Sequence, residues 1–245
     1  MTQSSVTLSP QAQAVLPQHV AVIMDGNGRW AKSRNLPRIE GHRQGAESVR
    51  SIVKTAGEVG IRYLTLYAFS LENWNRPKDE VDALMKYLAR YLKNESAELN
   101  RSNVRLMIIG QTHRLPETVQ QQLQKTLHLL SRNTGLTLVL ALSYGGRAEI
   151  VDAVRRLAAE ARDGRIDPAE ITEQTVSQYL YAPSVPDPDL LIRTSGEMRV
   201  SNFLLWQISY SEFVVTPTLW PDFRKAEFFE ALEAYARRHR RFGAL

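Results

Sequence analysis

The sequence predicts an α/β fold, a single domain built on a central, mostly parallel sheet of about six strands flanked by helices. Short apolar runs alternate with helical patterns along the chain, which is typical of parallel sheets. The run LTLVLAL is almost entirely apolar, as expected for a strand buried on both faces. The chain has 245 residues, 43% of them hydrophobic, which is enough for one sizeable core.

Two periodicities predict the individual elements. Apolar residues at 3.6-residue spacing indicate helices around Ala46–Val59, from about Lys78 to Asn100, around Ile150–Ala158 and from about Lys225 to Arg241. Short runs of β-branched and aromatic residues, bounded by turn residues, indicate strands. The predicted strands are Val20–Met24, Tyr63–Phe69, Val104–Ile109, Leu136–Leu142, Leu190–Arg193 and Phe213–Thr216.

The composition excludes several classes of protein. There is no cysteine, and therefore no disulfide, catalytic thiol or thiolate metal site. No apolar run is long enough to cross a bilayer. Residues 1–17 have no signal-peptide pattern, so we expect a flexible tail before a cytoplasmic domain over 18–245. The net charge of +5 permits an anionic partner. We do not expect nucleic acid, because only Arg237–Arg241 approaches a basic stripe.

Polar segments stand at the ends of the predicted strands, and three of the four contain glycine: DGNGR, SLENWNRP, SYGGR and RTSGEMRVSN. Ligands of an open parallel sheet bind beyond the carboxyl ends of its strands. Glycines allow backbone amides to face an anion, and the planar guanidinium of arginine suits phosphate. Several arginines on one rim predict two or more bound anionic groups, and these arginines are Arg29, Arg76, Arg193 and Arg199.

An aspartate beside such an anion site needs an explanation. Asp25 would repel a phosphate unless a cation lies between them, and magnesium is commonly held by one or two carboxylates together with phosphate oxygens. Glu212 is a candidate second carboxylate, although it could equally be a solvated residue at a strand start. Gly26, Gly28 and Ala31 also satisfy a loose dinucleotide-binding pattern. That pattern leaves a nucleotide-binding oxidoreductase as an alternative, but the expected acidic residue about twenty positions on is missing.

Five motifs in order make the chain resemble the cis-prenyltransferases, most closely the bacterial undecaprenyl diphosphate synthases. They are IMDGNGRWAK, the spaced Arg38 and Gly41–His42, TLYAFSLENWNRP, SYGGR, and DLLIRTSGEMRVSNFLLWQISYSEF with LWPDF after it. The resemblance covers about residues 18 to 243. Some members of this family are non-catalytic partner subunits, but those tend to lose the aspartate and the first glycine loop, which are intact here.

The resemblance implies a reaction and a product. Family members condense isopentenyl diphosphate onto an allylic diphosphate, usually farnesyl diphosphate, with Mg²⁺, and each new double bond is cis. A fifty-five-carbon undecaprenyl diphosphate, the lipid carrier precursor for cell-wall glycans, is the expected product. It would grow in an apolar tunnel between sheet and helices, with Ala68 and Leu136 on the tunnel wall.

The resemblance also implies roles for individual residues. Asp25 would be the essential carboxylate and a magnesium ligand, and Glu212 would complete the metal site. Asn73 is often assigned as the proton acceptor, but a neutral amide is a poor base, so we expect it to orient a substrate. The implied substrate-binding residues are Gly26, Asn27, Gly28, Arg29, Trp30, Arg38, His42, Ser70, Leu71, Glu72, Trp74, Arg76, Arg193, Arg199, Val200 and Ser201.

Further expectations concern two positions that depart from the family pattern, the oligomeric state and the membrane. Met198 stands where the family often has a histidine, and Leu71 where a small hydroxyl residue is common. A homodimer is expected, in which Arg241–Gly243 reaches across to the partner's site. The lipid product implies transient contact with the inner face of the membrane.

Overall fold

The computed structural model describes residues 7–238, and its centre is a six-stranded sheet. The spatial order is β3-β4-β2-β1-β5-β6, and every neighbouring pair is parallel. The predicted fold class is therefore confirmed, and each strand bound lies within two residues of its prediction. The strands are β1 His19–Ile23, β2 Tyr63–Ser70, β3 Arg105–Ile109, β4 Thr137–Tyr144, β5 Leu190–Arg193 and β6 Glu212–Val215.

Eight α-helices cover the sheet within the described residues. On one face, alternate strand residues such as Val22 and Leu140 pack with buried residues of α3, α4, α5 and α8. On the other face, Ala21 and Val139 pack against Phe203 and nearby side chains. The helices are α1 Pro10–Ala14, α2 Asn27–Ser33, α3 Arg38–Val59, α4 Lys78–Arg101, α5 Glu117–Leu130, α6 Gly146–Arg162, α7 Glu173–Gln178 and α8 Lys225–Ala236.

The structure differs from the predicted flexible tail over the part of residues 1–17 that it describes. Ser9 caps α1, and its backbone N–H and hydroxyl donate to the Glu233 carboxylate at 2.6 and 2.9 Å. Leu8 and Ala12 are buried, and α1 lies against α8. A short segment with one cap and two apolar contacts thus docks on a distant helix, although its own sequence is mostly polar.

The last helix ends earlier than predicted, at Ala236 rather than near Arg241. Arg238 lies beyond the helix and turns toward β6, donating to the Glu212 carboxylate at 2.6 Å and to the Phe213 carbonyl at 2.7 Å. These contacts direct the chain away from the helix axis. The proposed dimer segment Arg241–Gly243 lies outside the described residues.

None of the helices over residues 7–238 combines the length and the hydrophobicity that crossing a bilayer requires.

Candidate active site

The segment after β1 is shaped by glycines. Gly26 has φ +112°, a conformation that side-chain-bearing residues rarely adopt, and the turn there lets α2 begin at Asn27. A Cβ on Gly41 would lie 2.0 Å from the Asn27 carbonyl oxygen, and one on Gly45 would lie 2.4 Å from Asn27 Oδ1. Because Gly41 and Gly45 have no side chains, α3 packs closely against Asn27, the first residue of α2.

Asp25 lies at the end of β1 between two arginines. Its Oδ2 is 2.8 Å from the Arg193 guanidinium and 3.3 Å from that of Arg29. Burial alone would raise the pKa of this carboxyl, but the hydrogen bond and the charge of Arg193 outweigh burial, and the pKa lies below its ordinary value. Asp25 is therefore ionised at neutral pH.

Arg193 is a buried arginine at the end of β5, with only 5% of its side chain exposed. The register pairs Arg193 with Ile23 of β1, which explains why it reaches Asp25. Its Nη1 donates to Ser201 Oγ at 2.8 Å and to the Arg199 carbonyl, while its Nε has no partner among the described residues. Arg193 thus links Asp25 to the loop that carries Arg199.

The carboxylate of Glu197 pairs with the two exposed arginines of this cluster. Its carboxylate is 3.2 Å from Arg29 and 2.6 Å from Arg199. Arg29 also donates to Ser195 Oγ at 2.5 Å. The structure therefore brings Arg29, Arg193 and Arg199, three of the four arginines that the strand-end argument named, into one cluster, whereas Arg76 lies in another. The sequence reasoning missed Glu197, although an acid between two of the predicted arginines was a visible signal.

A second cationic cluster lies at the starts of α3 and α4. Arg38 and Arg76 both contact the Glu80 carboxylate, at 3.5 and 3.1 Å, and Arg38 lies over Gly28. Burial, with smaller contributions from Arg76 and Arg38, lowers the pKa of His42 to about 4, so its ring is neutral at pH 7. His42 Nε2 is buried and has no partner among the described residues, which leaves it available to a ligand.

The segment after β2 forms a 3₁₀ turn over Leu71–Asn75. Asn73 Oδ1 accepts the Ser70 N–H at 3.1 Å, so its amide oxygen is already committed to the backbone. Trp74 donates to Ser143 Oγ at 2.9 Å. Glu72 accepts a hydrogen bond from Asn202 at 2.8 Å. The Asn73 side chain therefore closes the start of the 3₁₀ turn.

A cavity of about 870 Å³ connects the second cationic cluster, together with Asp25 and Arg29 of the first, to an apolar interior. Asp25, Arg29, Arg38, His42 and Arg76 line its mouth. Deeper in, it runs between the sheet and helices α3 and α4. Tyr91, also on its lining, lies about 20 Å along α4 from the start of that helix. The deeper lining includes Val49, Leu66, Ala68, Leu84, Met85, Leu88 and Leu140.

Several implied site residues lie elsewhere. Leu136 is buried in the core beside Gly57 and is not part of the cavity lining. Trp30 donates to Asp222 at 2.7 Å and stacks with Arg34, so its indole faces the LWPDF segment rather than the cavity. Val200 packs with the core of the opposite sheet face. Met198, at the departure from the family pattern, is 87% exposed.

Within one chain, Glu212 does not lie beside Asp25. Glu212 begins β6, where the register pairs it with Leu190 at the amino end of β5. Asp25 lies beyond the carboxyl end of β1, at the opposite edge of the sheet. Residues that precede a parallel strand lie at its amino end, so Glu212 could not share this rim. Among residues 7–238, no group of three or more acidic or histidine side chains is arranged to hold a metal.

Comparisons with known proteins agree with this geometry. A family model described as "Putative undecaprenyl diphosphate synthase" matches residues 23–243. The isoprenyl transferase of Rhizobium meliloti is 53% identical over 232 residues, which cover 95% of this chain and 94% of that protein. The corresponding protein of Heliobacterium mobile is 52% identical over 94% of this chain and 88% of its own length.

Solved structures show the same architecture. Lavandulyl diphosphate synthase from Lavandula x intermedia, in complex with dimethylallyl diphosphate, has a TM-score of 0.91 at 42% identity over 93% of this chain and 98% of its own. A probable undecaprenyl diphosphate synthase from Campylobacter jejuni has a TM-score of 0.78 at 34% identity, over 94% and 99%. Nothing in these comparisons supports the oxidoreductase alternative. With its first three motifs lining one cavity and these relatives along nearly its whole length, the chain belongs to the undecaprenyl diphosphate synthase family of prenyltransferases.

Proposed function

We propose that this protein elongates farnesyl diphosphate by successive cis condensations of isopentenyl diphosphate, and that its product is undecaprenyl diphosphate. The observation that carries the proposal is the cavity, because its mouth is cationic and its interior is apolar. An allylic diphosphate has the same two parts, an anionic head and a hydrocarbon chain. The dimethylallyl diphosphate of the lavandulyl relative belongs to the same chemical class.

In the proposed reaction, the carbon–oxygen bond to the allylic diphosphate breaks and leaves an allylic cation. The double bond of isopentenyl diphosphate attacks this carbon, a carbon–carbon bond forms, and one proton leaves. Arginines that receive the departing diphosphate stabilise its developing charge and lower the barrier. Arg38, Arg76 and His42 would receive the departing allylic diphosphate, whereas Arg193, Arg199 and Ser201 would hold the diphosphate of isopentenyl diphosphate, which does not leave. Holding both anions positions the two reacting carbons.

The proton acceptor follows from the same geometry. Asn73 is neutral, and its oxygen accepts a backbone N–H. The released diphosphate is a stronger base in the same cavity, so we propose that it takes the proton while Asn73 keeps the 3₁₀ turn in place.

The residues around Asp25 fit a magnesium ion. Asp25 is ionised and partly exposed, and one carboxylate with diphosphate oxygens is a common Mg²⁺ ligand set. Bound magnesium would neutralise charge on a diphosphate and so favour its departure. Asp25 would hold the ion, and its present contacts with Arg193 and Arg29 would loosen as the diphosphate takes over those guanidiniums.

A homodimer would bring Glu212 back to the metal site. β6 is the edge strand of the sheet, and Tyr210 and Phe213 expose 72% and 41% of their surface near it. In a two-fold dimer whose axis is perpendicular to the sheet, the two β6 strands are antiparallel. The amino end of one β6 then lies beside the carboxyl end of the other. We therefore propose that each site combines Asp25 of one copy with Glu212 of the second.

Mixed dimers test this arrangement. Co-expressed Asp25→Ala and Glu212→Ala chains should form heterodimers with one intact site and one doubly damaged site, and recover about half of the activity per dimer. If both residues act within one chain, the mixed dimer stays as inactive as its parents.

A transient contact of the apolar product with a membrane completes the proposal, and stimulation by detergent or phospholipid vesicles tests it.

The central experiment incubates the protein with farnesyl diphosphate, labelled isopentenyl diphosphate and Mg²⁺, and sizes the products. We expect a fifty-five-carbon chain and loss of turnover with a chelator. No incorporation, or incorporation that a chelator leaves unchanged, would overturn the proposal.

A further inference from the structure

Asn202, immediately after Ser201, connects three loops that follow different strands. Its Oδ1 accepts the Arg147 N–H at 2.9 Å, and its Nδ2 donates to Glu72 Oε1 at 2.8 Å. Its backbone carbonyl accepts the Gly146 N–H at 2.7 Å. The backbone donor at Arg147 fixes which side-chain atom is the oxygen, so the amide nitrogen necessarily faces Glu72.

The backbone at this position is held in an unfavourable conformation. Ser201 and Asn202 have φ of +47° and +61°, a region that residues with side chains seldom occupy, although asparagine tolerates it best. Two glycines make room for Asn202, because a Cβ on Gly145 would lie 2.7 Å from its Nδ2 and one on Gly146 would lie 3.2 Å from its carbonyl oxygen. The surrounding loops therefore hold Asn202 in a left-handed backbone conformation, in space that two glycines leave open.

The constrained position bears directly on the anion site. Ser201 Oγ, one residue earlier, accepts from Arg193, and Arg193 contacts Asp25. A continuous series of hydrogen bonds and one peptide link thus runs from Glu72 through Asn202, Ser201 and Arg193 to Asp25. A shift of Asn202 would move Ser201 and the Arg199 loop together.

We propose that Asn202 is a positioning residue, which sets the Arg193–Arg199–Ser201 anion site at a defined distance from the Glu72 loop. This inference rests on the proposed function. The hydrogen bond from Asn202 also opposes the effect of burial on Glu72, so the pKa of that carboxyl lies below its ordinary value. An ionised Glu72 is the acceptor that keeps the two loops joined.

Asn202→Asp is the sharpest perturbation, because it keeps the shape and the acceptor for Arg147 but places a carboxylate oxygen against Glu72. We expect the KM for isopentenyl diphosphate to rise about tenfold, because a charge-assisted hydrogen bond is lost. The KM for farnesyl diphosphate should change less than about twofold. Asn202→Gly is a second variant, which retains the left-handed backbone and removes both side-chain bonds. It should raise the same KM without adding charge.

A double-mutant cycle separates positioning from general damage. In a chain that already carries Glu72→Gln, the amide can donate to the new carboxylate, so Asn202→Asp should cost less than about threefold relative to Glu72→Gln alone. Equal costs in both backgrounds, or no rise in KM in either background, would overturn the inference. Asn133→Asp, at a half-buried asparagine whose Nδ2 donates to the Val104 carbonyl at the amino edge of the sheet, is the matched control and should change neither KM.

Binding of isopentenyl diphosphate, measured by calorimetry on the same chains, distinguishes the two failures. If the unmodified chain neither binds nor incorporates it, the proposed function and this inference fail together. If the unmodified chain is active and the cycle shows no coupling, only the role of Asn202 fails.

Discussion

Gly41→Ala should disrupt the active site although glycine has no side chain that could contact a substrate. The new Cβ would lie 2.0 Å from the Asn27 carbonyl oxygen, whereas ordinary contacts begin at 3.4 Å. Either α3 or the start of α2 must move by about 1.4 Å. Overpacking of this kind costs about 1–3 kcal/mol, less up to about 1 kcal/mol gained from replacing glycine inside a helix.

The displacement reaches the substrate site because Asn27 belongs to the segment that follows Asp25. A misplacement of about 1 Å can reduce turnover about 100-fold. A net loss of up to about 2 kcal/mol should lower the melting temperature by up to about 8 °C in a domain of this size. Thermal unfolding and incorporation of labelled isopentenyl diphosphate measure the two effects on the same preparation.

Gly57→Ala is the matched control in the same helix. Its Cβ would have one ordinary contact, 4.0 Å from Leu136, and its backbone has no positive φ. We expect normal activity and a gain of about 0.5–1 kcal/mol in the free energy of unfolding. If Gly41→Ala retains full activity and stability, or if Gly57→Ala loses as much as Gly41→Ala, the argument from close helix packing is refuted.

Three further predictions concern charge and shape. Asp25→Ala should lower the free energy of unfolding by roughly 2 kcal/mol, because Arg193 stays buried without that partner. The same substitution should abolish turnover, while calorimetry should still show binding of farnesyl diphosphate. Normal turnover would contradict the proposed role of Asp25 in the reaction. The pKa of His42 is lowered to about 4, so the unfolded chain binds a proton first as the pH falls through about 6.5. Stability should then fall by up to about 3 kcal/mol by pH 4, and denaturant titrations should show a smaller fall in His42→Gln than in the unmodified chain. Ala68→Leu places a larger side chain on the cavity lining and narrows the cavity, so it should shorten the products in a labelled chain-length assay. An unchanged product ladder would argue against growth of the chain in this cavity. Val154→Leu, at an exposed position on α6, is the control.

Local sequence patterns determined most of the framework. Apolar runs specified β1, β4 and β5 because these strands are buried along their whole length, which leaves little choice of residue. Parallel strands necessarily place their carboxyl ends on one edge. The gathering of Arg29, Arg193 and Arg199 near Asp25 followed from that rule, without knowledge of strand order.

The tertiary structure decided what depends on distant contacts. Glu212 lies at the wrong end of its strand for Asp25, since a residue that precedes a parallel strand belongs to the amino edge. The α1 segment is held against α8 by Glu233 together with the buried side chains of Leu8 and Ala12. Asn202 meets a carboxylate 130 positions away. Residue periodicity encodes the type and burial of each element, but the partners of a polar side chain depend on how the finished elements pack, and no local pattern contains that information.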